Sequence, residues 1–137
     1  MAGEQSVYVV EGVAVPDSLD LLHDLLERVG SDHPDVLSED LSMLETAVIE
    51  IAGNLIEHGR PAGGVDYRLS LEVMLDRLEG MLSDGGEALP IPPLDGDMPD
   101  PFSEAGRGIL IAQAVLDELT YERTAVANTW RMVRKRH

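Results

Sequence analysis

The chain has 137 residues, 44% of them hydrophobic, which is enough for one domain with its own core and too apolar for a disordered chain. Its formal charge of −16 argues against a nucleic-acid module, which would carry clustered Lys and Arg, and suits solubility or a basic protein partner instead. With no cysteine there is no disulfide framework and no thiolate ligand or nucleophile.

The N-terminal MAGEQSVYVVEG lacks a basic region and a long apolar run, so no signal peptide is expected. No stretch approaches the roughly 20 apolar residues of a membrane span. These features describe a cytoplasmic protein that contacts neither membrane nor nucleic acid. Ser6 to Val15 is rich in β-branched residues and reads as a strand or bent strand pair, with Gly12 a possible bulge. Pro16, Asp17 and Ser18 supply helix-start chemistry. Leu19, Leu22, Leu25, Leu26 and Val29 then recur at helical spacing until Gly30 stops the run. After a polar loop from Ser31 to Asp35, a second helix begins between Asp35 and Asp40 and runs to about His58, with Gly59 as its C′ residue. Leu44, Val48, Ile51 and Leu55 are its apolar stripe, widened by Ile49, Ala52 and Ile56.

Arg60 to Gly64 makes a turn, and Tyr67 to Leu75 alternates as a strand. Asp76 to Gly80 reads as a hairpin connection, with the returning strand at Met81 to Ser83. Glu87 to Glu104 is aperiodic, acidic and holds Pro90, Pro92, Pro93, Pro99 and Pro101, so residues 87–105 form a candidate lid or a plain connector. Gly106 to Leu119 is helical by pattern, and Leu119–Arg123 and Thr129–Val133 make a last strand pair. The basic end, Arg131 to His137, reads as a frayed, solubilising tail or a partner contact. The fold class that follows is α+β: a single domain over 1–137, a two-layer sandwich of a mixed or antiparallel sheet with helices on one face.

Three stretches carry possible chemistry. Glu50, Asn54 and His58 stand at i, i+4 and i+8, drifting only about 40° per step along a face that borders the apolar stripe. An Asn oxygen there suits one place on Mg²⁺, and a Glu one turn earlier can take a proton from an attacking hydroxyl. Each also has a plain explanation: a solvated acid, a buried amide, a helix-end cation. Asp84-Gly85-Gly86 ends a strand; the Asp can accept from an exocyclic amine and the glycines let a flat base approach, although such a triplet is also a common turn. Gly106-Arg107-Gly108 opens a helix, where amide N–H groups and the macrodipole favour phosphate and Arg107 adds a charge.

In this order the motifs resemble the GHKL (Bergerat-fold) ATP-binding domain shared by gyrase, histidine kinases and MutL. Within that family the chain looks like the short anti-sigma factor serine kinases, from the first strand to Arg134. The resemblance implies ATP and Mg²⁺ as cofactors, Glu50 as catalytic acid/base and Asn54 as metal ligand. It puts His58 near the nucleotide, Asp84 and Gly86 at adenine, Gly106 and Gly108 at the phosphates, and Thr129 in support of the adenine pocket. It also implies a sigma factor and an anti-anti-sigma factor as partners, and a homodimer for which the first strand is a candidate contact. The chain departs from the family's pattern in four places: Glu87-Ala88 after the glycines, Gly106-Arg107-Gly108-Ile109 in place of G-x-G-L, Leu55 after Asn54, and Asn128 where a glycine usually precedes Thr129. A non-catalytic nucleotide- or protein-binding module of the same fold is the alternative, and an unrelated interaction domain is a third.

Overall fold

The structure is a computed structural model that describes residues 6–59, 61, 63–87 and 104–137, without the side chains of 104 and 105. Its elements are β1 (Val7–Val13), α1 (Ser18–Asp32), α2 (Ser38–His58), β2 (Asp66–Val73), β3 (Arg77–Asp84), α3 (Glu104–Val115), β4 (Glu118–Arg123) and β5 (Asn128–Lys135). The strands form one five-stranded sheet in the order β1-β2-β3-β5-β4, and every pairing is antiparallel. Of the two sheet types left open by the sequence, the antiparallel one is found. The candidate lid falls almost wholly on residues 88–103, outside the described residues.

Alternation decides which way each strand faces. Leu78, Gly80, Leu82 and Asp84 of β3 turn to the helical side, as do Asn128, Trp130 and Met132 of β5. Helix α2 lies between α1 and α3 and packs on the middle strands β3 and β5. Its residues Leu44, Ala47, Val48, Ile51, Ala52 and Leu55 are buried, so the apolar stripe read from the sequence is the stripe that meets the sheet. Tyr8 of β1 is buried at the end of α1, where its hydroxyl donates to Asp32 Oδ2 at 2.7 Å. Burial, then this bond, push the Tyr8 phenol up to about 12.

Several boundaries and glycine roles differ from those expected. Helix α1 continues through Gly30 to Asp32 because a Cβ at Gly30 would come within 3.2 Å of Leu41 Cδ1; the glycine admits the neighbouring helix and does not end its own. The returning strand begins at Arg77, with Gly80 inside it, where a Cβ would meet Leu71 Cδ2 at 3.2 Å and Leu44 of α2 at 3.8 Å. Gly12 is no bulge, since the β1–β2 register runs unbroken from Val7↔Glu72 to Val13↔Asp66. Gly59 is not a left-handed cap: its φ is −63°, and it is small because a Cβ would lie 2.5 Å from the Leu55 carbonyl oxygen.

The basic end is not frayed. β5 runs to Lys135, and Arg136 donates to Met74 O at 2.9 Å and to Asp35 Oδ2 at 2.7 Å. Arg134 Nε donates to Asp40 Oδ1 at 3.0 Å, and the backbone N–H of His137 donates to Asp40 Oδ2 at 2.8 Å. Asp40, on the first turn of α2, is 1% exposed. Burial raises its carboxyl, but the bonds from His137 and Arg134 outweigh that and hold it below the usual carboxylate range.

Candidate functional site

A groove of about 280 Å³ separates α2 from the start of α3. Glu50, Gly53, Asn54 and Glu57 line one wall, and Arg107, Gly108 and Ile111 line the other. The α2 residues are i, i+3, i+4 and i+7, which is how one helical face presents itself. Gly108 is the point of closest approach. A Cβ there would lie 3.0 Å from Glu50 Oε2, 3.4 Å from Asn54 Oδ1 and 3.5 Å from Asn54 Nδ2. Hence glycine at 108 keeps open a space into which a carboxylate and a carboxamide both point. Gly108 is the fifth residue of α3, beyond the four N–H groups that a helix leaves without intrahelical partners. Its contribution is therefore room more than an open amide.

Glu50, Asn54, Arg107 and Gly108, singled out from the sequence, are thus brought together. His58 is not among the lining residues; eight positions after Glu50 it has turned about 80° away. Its Nε2 lies 3.7 Å from Glu57 Oε2 instead. Glu57, Gly53 and Ile111 are groove residues that the sequence reading missed, and the i+3 and i+7 spacing from Glu50 was the signal for the first two.

A second cluster sits where β3 ends. Asp84 is 3% exposed, and its Oδ1 accepts from the Gly86 N–H at 2.9 Å and from Asn128 Nδ2 at 2.9 Å. Its Oδ2 is buried and has no hydrogen-bond partner among the described residues. The Gly86 contact is an Asx turn, so the triplet is a turn and a polar pocket at once. Gly86 is itself buried, and its carbonyl accepts from Arg123 Nη1 at 2.6 Å. Asp84, Gly86 and Asn128 do not line the α2–α3 groove. The two clusters lie at the two ends of the same connection, residues 88–103, between β3 and α3.

Thr129 lies beside Ser83 and not in the Asp84 cluster. Its Oγ1 is 3.4 Å from Ser83 Oγ, on the sheet face away from the helices. Period-2 alternation puts its neighbour Asn128, fully buried, on the Asp84 side. The sequence reading noted Asn128 only as a departure from the family's glycine, although its place two positions before the apolar Trp130 marked it as inward.

Among the described residues no group of three or more His, Asp or Glu side chains is placed to cage a metal. A magnesium ion held through Asn54 and ligand oxygens needs no such cage.

Residues 13–134 match the family described as histidine kinase-like ATPase domain. The chain belongs to that family. No curated protein matches it. Among solved structures this ATPase domain resembles the RsbU and RsbW domains of Rv1364c from Mycobacterium tuberculosis, with a TM-score of 0.67 at 14% identity over 97% of this chain and 33% of that one. It also resembles the histidine kinase domain of the blue-light activated histidine kinase from Erythrobacter litoralis EL346, with a TM-score of 0.54 at 20% identity, over 82% and 60% of the two chains. A third likeness is the Acinetobacter baumannii histidine kinase AdeS, with a TM-score of 0.52 at 12% identity, over 93% and 67%. At these identities the likeness is one of fold, and the domain spans about a third of the Rv1364c chain. Among the described residues no helix is long and apolar enough to cross a membrane.

Proposed function

We propose that this ATPase domain is a cytoplasmic anti-sigma factor that is also a protein serine kinase: it holds a sigma factor inactive and phosphorylates a serine of an anti-anti-sigma factor. The observation that carries the reading is the approach of Gly108 to Glu50 and Asn54, which sets an acid and an amide against a glycine of α3. Domains of this family bind ATP, usually with Mg²⁺. Asn54 and Arg107 hold the phosphate end in the groove, while Asp84, whose Oδ2 has no hydrogen-bond partner among the described residues, takes the amine of the base. When bound, Mg²⁺ supplies charge neutralisation on the phosphates.

The serine oxygen attacks the γ-phosphorus, the bond to the β-phosphate oxygen breaks, and ADP leaves. Glu50 orients the serine hydroxyl and receives its proton. The rest of the chain's contribution is to hold the groups in place, because phosphoryl transfer depends mostly on positioning and charge. The acidic surface suits a basic patch on the sigma factor. The edge position of β1, with Val7, Val9 and Val13 exposed, supports a homodimer contact there.

The test is transfer of label from γ-labelled ATP to a serine-bearing anti-anti-sigma protein, with and without Glu50→Gln. Loss of about 100-fold or more in rate is expected for removal of a general base. Transfer by Glu50→Gln at the wild-type rate removes Glu50 from the mechanism. A second reading, a nucleotide-binding regulator without transfer, is favoured by the groove's own charge, since two carboxylates, Glu50 and Glu57, line it together with Arg107. It predicts thermal stabilisation by ATP, about 2.7 kcal/mol at 100 times the Kd, with no label on the partner.

A further inference from the structure

Gly53 stands in the interior of α2, a 21-residue helix, where only proline is less favourable than glycine. Gly30, Gly80 and Gly108 also lie inside elements, and a Cβ on each would meet another side chain at 3.2, 3.2 and 3.0 Å. A Cβ at Gly53 would meet no atom within 4 Å among the described residues. Its backbone is helical, and the positive φ among the described glycines belongs to Gly63. Neither packing nor conformation among the described residues therefore asks for glycine at 53.

The space it leaves has a definite place in the groove. On the helical wheel Asn54 lies about 40° to one side of Glu50, and Gly53 lies about 60° to the other. Asn54, 9% exposed, is the inner edge of the α2 wall, the edge that Gly108 approaches. Gly53 is the outer edge. Ile49 and Glu57, one turn before it and one turn after, share its row along the helix. That row is a ridge with a gap in it, about 12 Å from Ile49 to Glu57 at 1.5 Å per residue. An extended chain fits across such a gap, since neighbouring strands lie only about 4.8 Å apart.

We propose that the notch at Gly53 is where the main chain of the protein substrate crosses α2 to bring its serine to Glu50. The inference rests on the kinase reading above and adds the route of the acceptor. In that reading the phosphate end lies on the Asn54 side. The attacking and leaving oxygens stand roughly in line through the transferred phosphorus, so the serine enters from the other side, across Gly53, with Glu50 between. Bare backbone at 53 lets the acceptor chain lie against the helix. A methyl group there pushes it outward, and a displacement of about 1 Å is enough to slow transfer about 100-fold. Gly53 is a positioning residue: it donates no group to the reaction, and its contribution is to be small. The nucleotide makes no use of the notch, because its phosphates meet the opposite edge.

The experiment compares wild type with Gly53→Ala and Gly53→Leu in the full chain, both replacements being good helix formers. It reads the unfolding midpoint, the ATP dissociation constant by calorimetry, and kcat/KM for label transfer from γ-labelled ATP to the serine-bearing anti-anti-sigma protein. Gly53→Ala is expected to raise the midpoint by about 4 °C. Both variants are expected to bind ATP within about threefold of wild type, while transfer falls about tenfold or more for Ala and about 100-fold or more for Leu. A domain that is more stable and holds ATP normally, yet transfers slowly, is not what structural damage produces. Three results overturn the inference and leave the kinase reading standing. They are transfer by both variants at the wild-type rate, a lowered midpoint for Ala, which means the chain itself fills the space, and an ATP affinity that falls in step with transfer, which gives the space to the nucleotide. If Leu does not fold, Ala decides by the same criteria. A wild-type domain that binds ATP and labels no acceptor refutes the kinase reading, and this inference with it.

Discussion

Replacing Arg134 with Met tests how the last strand is held to α2. Arg134 Nε donates to Asp40 Oδ1 at 3.0 Å, and its Nη1 donates to the carbonyl of Val115, the last residue of α3, at 3.1 Å. The Met side chain keeps most of the apolar stem and removes both bonds. Among the described residues it leaves Asp40, 1% exposed, with the two His137 contacts at 2.8 Å. Breaking a buried pair from one side costs about 3–5 kcal/mol. The remaining His137 donors place the expected loss at the lower end, about 3 kcal/mol. With a urea m-value of about 1–3 kcal/mol/M, the midpoint moves down by at least about 1 M. Trp130 is the single tryptophan and is 1% exposed, so its fluorescence reports the transition. The pH dependence adds a second constraint. Asp40's carboxyl is held below the usual range in the folded state, so the stability it contributes is fully present above about pH 4 and is lost as pH falls through the folded value. The gap between wild type and variant must therefore be full at pH 7 and narrow in acid. Adding Asp40→Asn to the variant should recover part of the loss, because the orphaned charge is gone. A variant within about 0.5 kcal/mol of wild type at pH 7, the range of an ordinary surface change, refutes the claim that this pair fastens the domain.

Two glycine substitutions separate stability from binding. Gly59→Ala sets a carbon 2.5 Å from the Leu55 carbonyl oxygen and 3.0 Å from Leu55 Cδ1, so a loss of about 1–3 kcal/mol is expected from overpacking alone; an unchanged urea midpoint contradicts it. The nearest atoms to the new carbon in Gly108→Ala are Glu50 Oε2 at 3.0 Å and the Asn54 amide at 3.4–3.5 Å, both side-chain ends that can shift. Since alanine is favoured over glycine inside a helix by about 1 kcal/mol, the unfolding midpoint should hold or rise. ATP affinity should fall at least about tenfold as the groove fills, roughly the effect of 1.4 kcal/mol, and calorimetry that finds it unchanged removes the groove from the nucleotide site.

The legible parts of this chain were those whose signal is local. The buried stripe of α2 and the alternation of β2 and β5 repeat within a few residues, and they fixed the class of fold. Glu50 and Asn54 are one turn apart, so their shared face could be read directly, and the groove has both. His58 does not line that groove: two 40° steps carry it off the face, whereas Glu57 returns to within about 20° of Glu50. The glycines at 30 and 80 looked like punctuation, but each is set by what approaches it from elsewhere, Leu41 and Leu71 with Leu44, whereas Gly59 does follow the end of its helix and is set by the Leu55 carbonyl four residues earlier. The basic end was read as loose because Arg134 and Arg136 find their acids 94 and 101 positions away, beyond any local window. Thr129 and Asn128 make the sharpest case. A motif match fixes position along the chain, but in a strand one residue of offset exchanges the two faces of the sheet. The buried ring of Trp130 sets that phase, and counting back by two from it selects Asn128. A strand residue proposed for a pocket should therefore be checked against the nearest buried aromatic in its own strand before it is given a role.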